Sequence, residues 1–149
     1  MYLDALFSYY KYLLLYWYHF YEMDIGKRRF MVEADGRHFW RILDNLMVNI
    51  CKYAQSHTRV YLDLIATSEE ALIIFRNISK APLNISGEEL MERFVRGDSS
   101  RNTEGSGLGL SIARSLCELQ GAELLLSVDG DLFKVTMRFQ RLKPADGQN

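Results

Sequence analysis

Between Leu3 and Tyr21, the apolar residues Leu3, Leu6, Phe7, Tyr10, Leu13, Leu14, Trp17, Phe20 and Tyr21 recur at three- and four-residue steps. Asp4, Ser8, Lys11 and Glu22 stand opposite them, which predicts an amphipathic helix that packs or forms an interface. A short strand is expected over residues 29–33. Asp35 can then cap a helix over residues 36 to about 54. In it Phe39, Leu43, Met47, Ile50 and Ala54 share one face, and Arg41, Asn45, Asn49 and Lys52 the opposite one. Residues 59–66 and 71–77 read as two strands joined by the polar turn Thr67-Ser68-Glu69-Glu70.

Regularity lapses over residues 79–105. A short helix is expected at 88–94, and the polar run 96–104 reads as a long surface loop or lid. A helical pattern at 111–120 closes on Gly121 as a C-terminal cap. Strands at 123–128 and 132–139 form a hairpin around Asp129-Gly130-Asp131. The chain therefore divides into an aromatic helix over 1–30, one domain over 31–140 and a flexible tail over 141–149.

Composition narrows the class. With 149 residues, 48% hydrophobic and 25% charged, the chain has enough apolar side chains for one soluble domain with a real core. A formal net charge of −1 supplies no basic field for nucleic acid and no electrostatic attachment to a membrane. The apolar run around Leu13-Leu14-Leu15 is interrupted by Lys11, His19 and several tyrosines. It falls short of the roughly 18–20 residues that a span needs, so no direct membrane span is expected. No signal-peptide pattern is present either. Cys51 and Cys117 fall within helical patterns among apolar neighbours, and are expected to be reduced core residues in a cytoplasmic setting.

Candidate chemistry begins at Gly105-Ser106-Gly107-Leu108-Gly109-Leu110, a flexible turn emptying into a helix N-terminus. Backbone N–H groups there can approach an anion with no Cβ in the way. No lysine follows the last glycine, which excludes a P-loop. The polar residues before the turn, and Leu110 at the third-glycine place, exclude a dinucleotide fingerprint. Upstream, Asn45 and Asn49 stack one helical turn apart, with Lys52 beyond them. Amide oxygens so spaced can ligate a hard cation such as Mg²⁺, and the lysine can meet phosphate charge. By periodicity alone, the same row reads equally well as a solvated face.

Taken together, these segments resemble the catalytic and ATP-binding domain of sensor histidine kinases, of the Bergerat-type ATPase fold shared with gyrase B, Hsp90 and MutL. Asn45-Leu46-Met47-Val48-Asn49-Ile50-Cys51-Lys52-Tyr53 is similar to the N box, Met91-Glu92-Arg93-Phe94 to the F box and residues 105–110 to the G2 box. The run 94–101 looks like the ATP lid. The resemblance implies an α/β (α+β) two-layer sandwich, its sheet mixed but mostly antiparallel, with helices on one face. It implies ATP and Mg²⁺ as ligands: Asn49 on the metal with Asn45 assisting, Lys52 on phosphate and Tyr53 against adenine. Arg96 and Arg101 would lie on the lid near the phosphates, and Gly105, Gly107, Leu108 and Gly109 would belong to the phosphate-binding turn. Asn45 and Lys52 are thus the candidate catalytic residues. Bland readings stay beside these: Tyr53 can simply close its helix, either arginine can be solvated, and Phe94 reads as lid-anchoring core.

Two departures matter. Family members that hydrolyse ATP carry Glu at the Asn45 place, and an amide cannot deprotonate water, which points to the kinase branch. The G1 box, Asp-x-Gly-x-Gly in the family, is represented by Asn77-Ile78-Ser79-Lys80-Ala81. Asn77 can still accept from the adenine amino group, but an amide that rotates could offer its NH₂ instead, so weaker discrimination against guanine is expected. His19, His38 and His57 lack the surroundings of a phosphoacceptor. The resemblance therefore implies a histidine phosphoacceptor (dimerisation) domain supplied in trans or upstream, and indirectly a response regulator. A non-catalytic nucleotide- or partner-binding module, degenerate at G1, is the alternative.

Overall fold

The computed structural model describes residues 32–96 and 108–141, the side chains of 93–96 excepted. Elements follow in the order α1 (Gly36–Tyr53), β1 (Val60–Ala66), β2 (Glu70–Ile78), α2 (Gly87–Arg96), α3 (Gly109–Glu118), β3 (Glu123–Asp129) and β4 (Leu132–Gln140). The aromatic helix expected over 1–30, the lid expected over 96–104 from residue 97 on, and the tail from 142 lie outside the described residues. Of the strand expected at 29–33, the described part is Val32, which forms an isolated antiparallel bridge with Arg141.

Two hairpins, β1–β2 and β3–β4, join edge to edge through β2 and β4, giving the strand order β1-β2-β4-β3. All three pairings are antiparallel, so among the described residues the sheet is purely antiparallel and not mixed. Each hairpin needs only a short turn, whereas a parallel pair would need a crossover between like-directed neighbours. At the β3–β4 turn, Asp129 pairs with Leu132, and Gly130 takes φ +60° between them. A positive φ at the first central position is what a II′ turn requires.

Alternation decides which face is buried. Ala71, Ile73, Phe75 and Asn77 of β2, with Phe133, Val135, Met137 and Phe139 of β4, point to the helices. Phe39, Ile42, Leu43, Leu46, Met47 and Ile50 of α1 and Leu110, Ala113, Leu116 and Cys117 of α3 complete that layer. The Phe39 and Phe139 rings lie 5.7 Å apart across it. Burying each such large side chain contributes about 1.5–3 kcal/mol. On the outer face, Arg76 pairs with Asp63 at 2.6 Å and covers the Tyr61 ring, while Arg138 pairs with Glu123.

Helix ends follow from local chemistry. Asp35 Oδ1 accepts from the N–H groups of Arg37 and His38 at 2.8 and 3.2 Å, and these bonds hold its carboxyl below the usual carboxylate range. Ser86 Oγ accepts from Glu89 N–H at 3.1 Å and opens α2. The next residue, Gly87, lies so close to β3 that a Cβ there would stand 2.1 Å from the carbonyl oxygen of Leu126. Helix α3 begins at Gly109, two residues before the expected start, and ends at Glu118. Gly121, at φ +66°, then turns the chain so that Ala122 N–H reaches the carbonyl of Cys117 at 2.9 Å.

One core expectation fails. Cys117 is fully buried, and burial, with a smaller push from the Glu118 charge, raises its thiol to about 12. Cys51 is exposed instead. Its apolar sequence neighbour Ile50 faces the core, but one residue around the helix brings Cys51 onto the exposed side with Trp40, Asp44 and Val48.

Candidate functional site

The asparagine row of α1 is not an ordinary solvated face. Asn45 and Asn49 are half-buried along the border of the core-facing side, whereas Arg41 and Lys52 are exposed. Asn45 Nδ2 donates to the carbonyl of Arg41 at 2.7 Å, which uses one end of the amide and leaves Oδ1 turned to the start of α3. A Cβ built on Gly109 would lie 3.4 Å from that oxygen. The first turn of α3 thus begins directly beside the row. Leu108, at its N-cap position, has no side chain able to accept from the first-turn N–H groups, unlike Asp35 and Ser86 at the other two helices.

The far end of α1 is bound to the end of β2. Ala54 bridges Ser79, Gln55 N–H donates to the carbonyl of Ile78 at 2.7 Å, and Lys80 N–H donates to that of Tyr53 at 2.9 Å. Lys80 Nζ also donates to the carbonyl of Lys52 at 2.7 Å, placing a cation at a helix C-terminus. Lys52 and half-buried Tyr53 are therefore held next to the strand end that carries Asn77. Sequence reasoning missed Lys80 in this role. Its only signal was a lysine where the family's G1 box has a variable residue.

Asn77 is the buried polar residue of the described chain, 3% exposed on the helix-facing side of β2. Its Nδ2 donates to the carbonyl of Ile78 at 3.3 Å, and its Oδ1 is buried without a partner. Such an orphaned acceptor costs about 1–3 kcal/mol unless a ligand satisfies it. In this rotamer the NH₂ end is taken up by Ile78 and the oxygen is the end left over.

The backbone over 79–83 takes ordinary conformations without glycine. His57 is the only described non-glycine residue with positive φ, and Ser79 and Leu83 N–H donate to Asp131 and Gly130 at 2.7 and 3.1 Å. Arg96 closes α2, but its side chain lies outside the described residues, as do Arg101, Gly105 and Gly107. The structure thus brings Asn45, Gly109 and Leu108 together at one end, and Lys52, Tyr53 and Asn77 at the other, with Asn49 between on α1. Among the described residues, no cluster of three or more His, Cys, Asp or Glu could hold a metal, and no helix is long and apolar enough to cross a membrane.

A helix lined with amides, a helix N-terminus without a side-chain cap and a buried acceptor on the inner face of an antiparallel sheet lie together in an α+β two-layer domain. The profile of the family described as histidine kinase-, DNA gyrase B-, and HSP90-like ATPase matches residues 34–142, and the chain belongs to that family as a histidine-kinase catalytic ATP-binding domain. It is 36% identical over 111 residues to the probable sensor protein PcoS of Escherichia coli, covering 72% of this chain and 24% of that protein. The fold is similar to the mycobacterial sensor histidine kinase MprB, with TM-score 0.69 and 19% identity over 95% of this chain and 93% of that one. It is also similar to the nucleotide-free catalytic domain of histidine kinase ThkA, with TM-score 0.67 and 22% identity over 94% of this chain and 89% of that one. The chain thus spans about a quarter of the curated relative's length.

Proposed function

We propose that this chain binds MgATP along α1 and donates the γ-phosphate to a histidine on a separate phosphoacceptor domain, within a pathway that ends at a response regulator. The observation that carries the reading is the unpartnered Oδ1 of buried Asn77, an acceptor fit for the exocyclic amino group of adenine. Tyr53 stands at the end of α1 tied to this strand, suited to lie against the base. At the other end, the first-turn N–H groups of α3 suit phosphate oxygens.

The donor set also fits Mg²⁺. That cation takes one or two protein oxygens and completes its shell with water and phosphate, and the Asn49 and Asn45 amide oxygens can supply those two. Bound there, the ion would neutralise triphosphate charge. Lys52 would add a further positive charge beside the phosphates. Asn45 cannot take a proton from water, which favours holding the triphosphate over hydrolysing it.

Thermal melts with and without nucleotide test the reading. Saturation at 100 times Kd should add about 2.7 kcal/mol, and the effect should require Mg²⁺. Little hydrolysis and no autophosphorylation are expected from the chain alone, and phosphoryl transfer should appear on adding a helical hairpin domain with an acceptor histidine. Equal melting temperatures in all conditions would refute MgATP binding.

A further inference from the structure

We propose that Lys80 is a positioning residue for the nucleotide site: it holds both peptide groups that flank the α-carbon of Tyr53, and so fixes the direction in which that ring meets the base. The proposal rests on the nucleotide-binding reading above and adds to it a residue that need not touch the ligand. Helix α1 has no left-handed turn to close its end. Ala54, at the C-cap position, is extended at φ −71° and ψ 142°, and neither it nor Gln55 takes the positive φ that would turn an N–H back onto the last carbonyls. Lys80 reaches them from the end of β2 instead. Its N–H donates to the carbonyl of Tyr53 at 2.9 Å, and its Nζ to that of Lys52 at 2.7 Å.

Those two carbonyls belong to the peptide groups on either side of the Tyr53 α-carbon. Each group is planar, so holding both sets the direction of the Cα–Cβ bond and leaves the half-buried ring only its rotamers to choose. Lys80 is itself anchored, because Ser79 beside it bridges Ala54 and donates its N–H to the carbonyl of Asp131 at 2.7 Å. An ammonium suits the place twice over: it can only donate, and its charge opposes the negative end of the helix dipole. Methionine at residue 80 would keep the backbone bond to Tyr53 and lose the tie to Lys52. One peptide group would then be held where two were before.

Titration of the full chain with MgATP and with MgADP tests this. Lys80→Met should weaken both by the same factor, about two- to fivefold, the scale of a charge at a helix terminus. Lys80→Arg, which can donate to the same carbonyl, should recover most of the loss. The sharper measurement repeats Lys80→Met in a Tyr53→Leu background, where no ring is left to position and the MgATP affinity should hardly change further. A loss of equal size in both backgrounds would overturn the proposal, making Lys80 an independent contact or a general support of the fold. So would no loss at all, no recovery with arginine, or a larger loss for MgATP than for MgADP, which would show Lys80 meeting the phosphates itself. If Tyr53→Leu binds too weakly to titrate, the arginine recovery and the comparison of the two nucleotides decide. Failure of the folded wild type to bind either nucleotide would overturn the nucleotide reading, and this proposal with it.

Discussion

The side-chain oxygen of Asn45 faces Gly109 closely enough that a Cβ at residue 109 would stand 3.4 Å from it. That separation is ordinary van der Waals contact, so the glycine is not required for packing. It keeps open the space between the amide row and the first turn of α3, where an anion would sit. Gly109→Ala should therefore fold with unchanged or slightly raised stability, since alanine is the better helix former by up to about 1 kcal/mol. Its affinity for MgATP should fall several-fold. Melting curves and calorimetric titration read the two effects apart, and parallel loss of both would show that Gly109 is structural.

Gly87 is the opposite case. A Cβ there would meet the backbone oxygen of Leu126 at 2.1 Å, and backbone cannot move aside as a side chain can. Gly87→Ala should cost on the order of 1–3 kcal/mol by overpacking α2 against β3. Denaturant unfolding checks this. A variant as stable as wild type would mean that α2 shifts along the sheet edge at little cost.

Asp35 links α1 to pH. Its carboxylate accepts from the N–H groups of His38 and Arg37, which lowers its pKa from 3.8 in the folded chain. Because the folded value is depressed, the unfolded chain binds more protons in the window just below 3.8, and the cap's contribution is lost as pH falls through the folded value. Asparagine caps about as well but does not titrate. Asp35→Asn should flatten the acid side of the melting-temperature profile and leave the neutral side nearly unchanged. An unaltered acid slope would assign that slope to other carboxylates.

Periodic elements were legible because one period runs through them. Phe39 to Ile50 marked α1, alternation from Ala71 to Asn77 marked β2, and Asp129-Gly130-Asp131 marked the last turn. The start of α3 was misplaced because Gly107-Leu108-Gly109 has the composition of a loop, yet the helix already begins at Gly109. Asn45, Asn49 and Lys52 stood out by spacing. The anchoring of Asn77 to Ile78, and of Lys80 to the end of α1, did not, because both depend on how β2 meets α1 and not on any local pattern.

The two thiols should separate cleanly in labelling. Cys51 is exposed, whereas Cys117 is buried with its thiol raised to about 12. Iodoacetamide at neutral pH should modify Cys51 alone, and more slowly than a small-molecule thiol, because partial desolvation raises its pKa as well. Cys117 should react only as the chain unfolds. Mass spectrometry of native and denatured samples decides it, and early modification of Cys117 would reveal local opening of α3.

Restoring the family's glycines tests whether their absence has disabled the site. The backbone at Ser79 and Lys80 is held by hydrogen bonds to Asp131 and Tyr53 at 2.7 and 2.9 Å, and neither Ser79 nor Ala81 has a positive φ. Nothing in this conformation requires glycine, whose greater freedom in the unfolded chain would only favour unfolding. The double variant Ser79→Gly, Ala81→Gly should therefore lose about 0.5–1 kcal/mol per site. MgATP affinity should stay the same or weaken slightly, since Lys80 would still hold Lys52 and Tyr53 in place, though less firmly. Unfolding in urea and nucleotide titration on the same samples measure both. A tenfold gain in affinity would mean that the glycine-free loop obstructs the nucleotide, and would favour a partner-binding module that has lost its nucleotide.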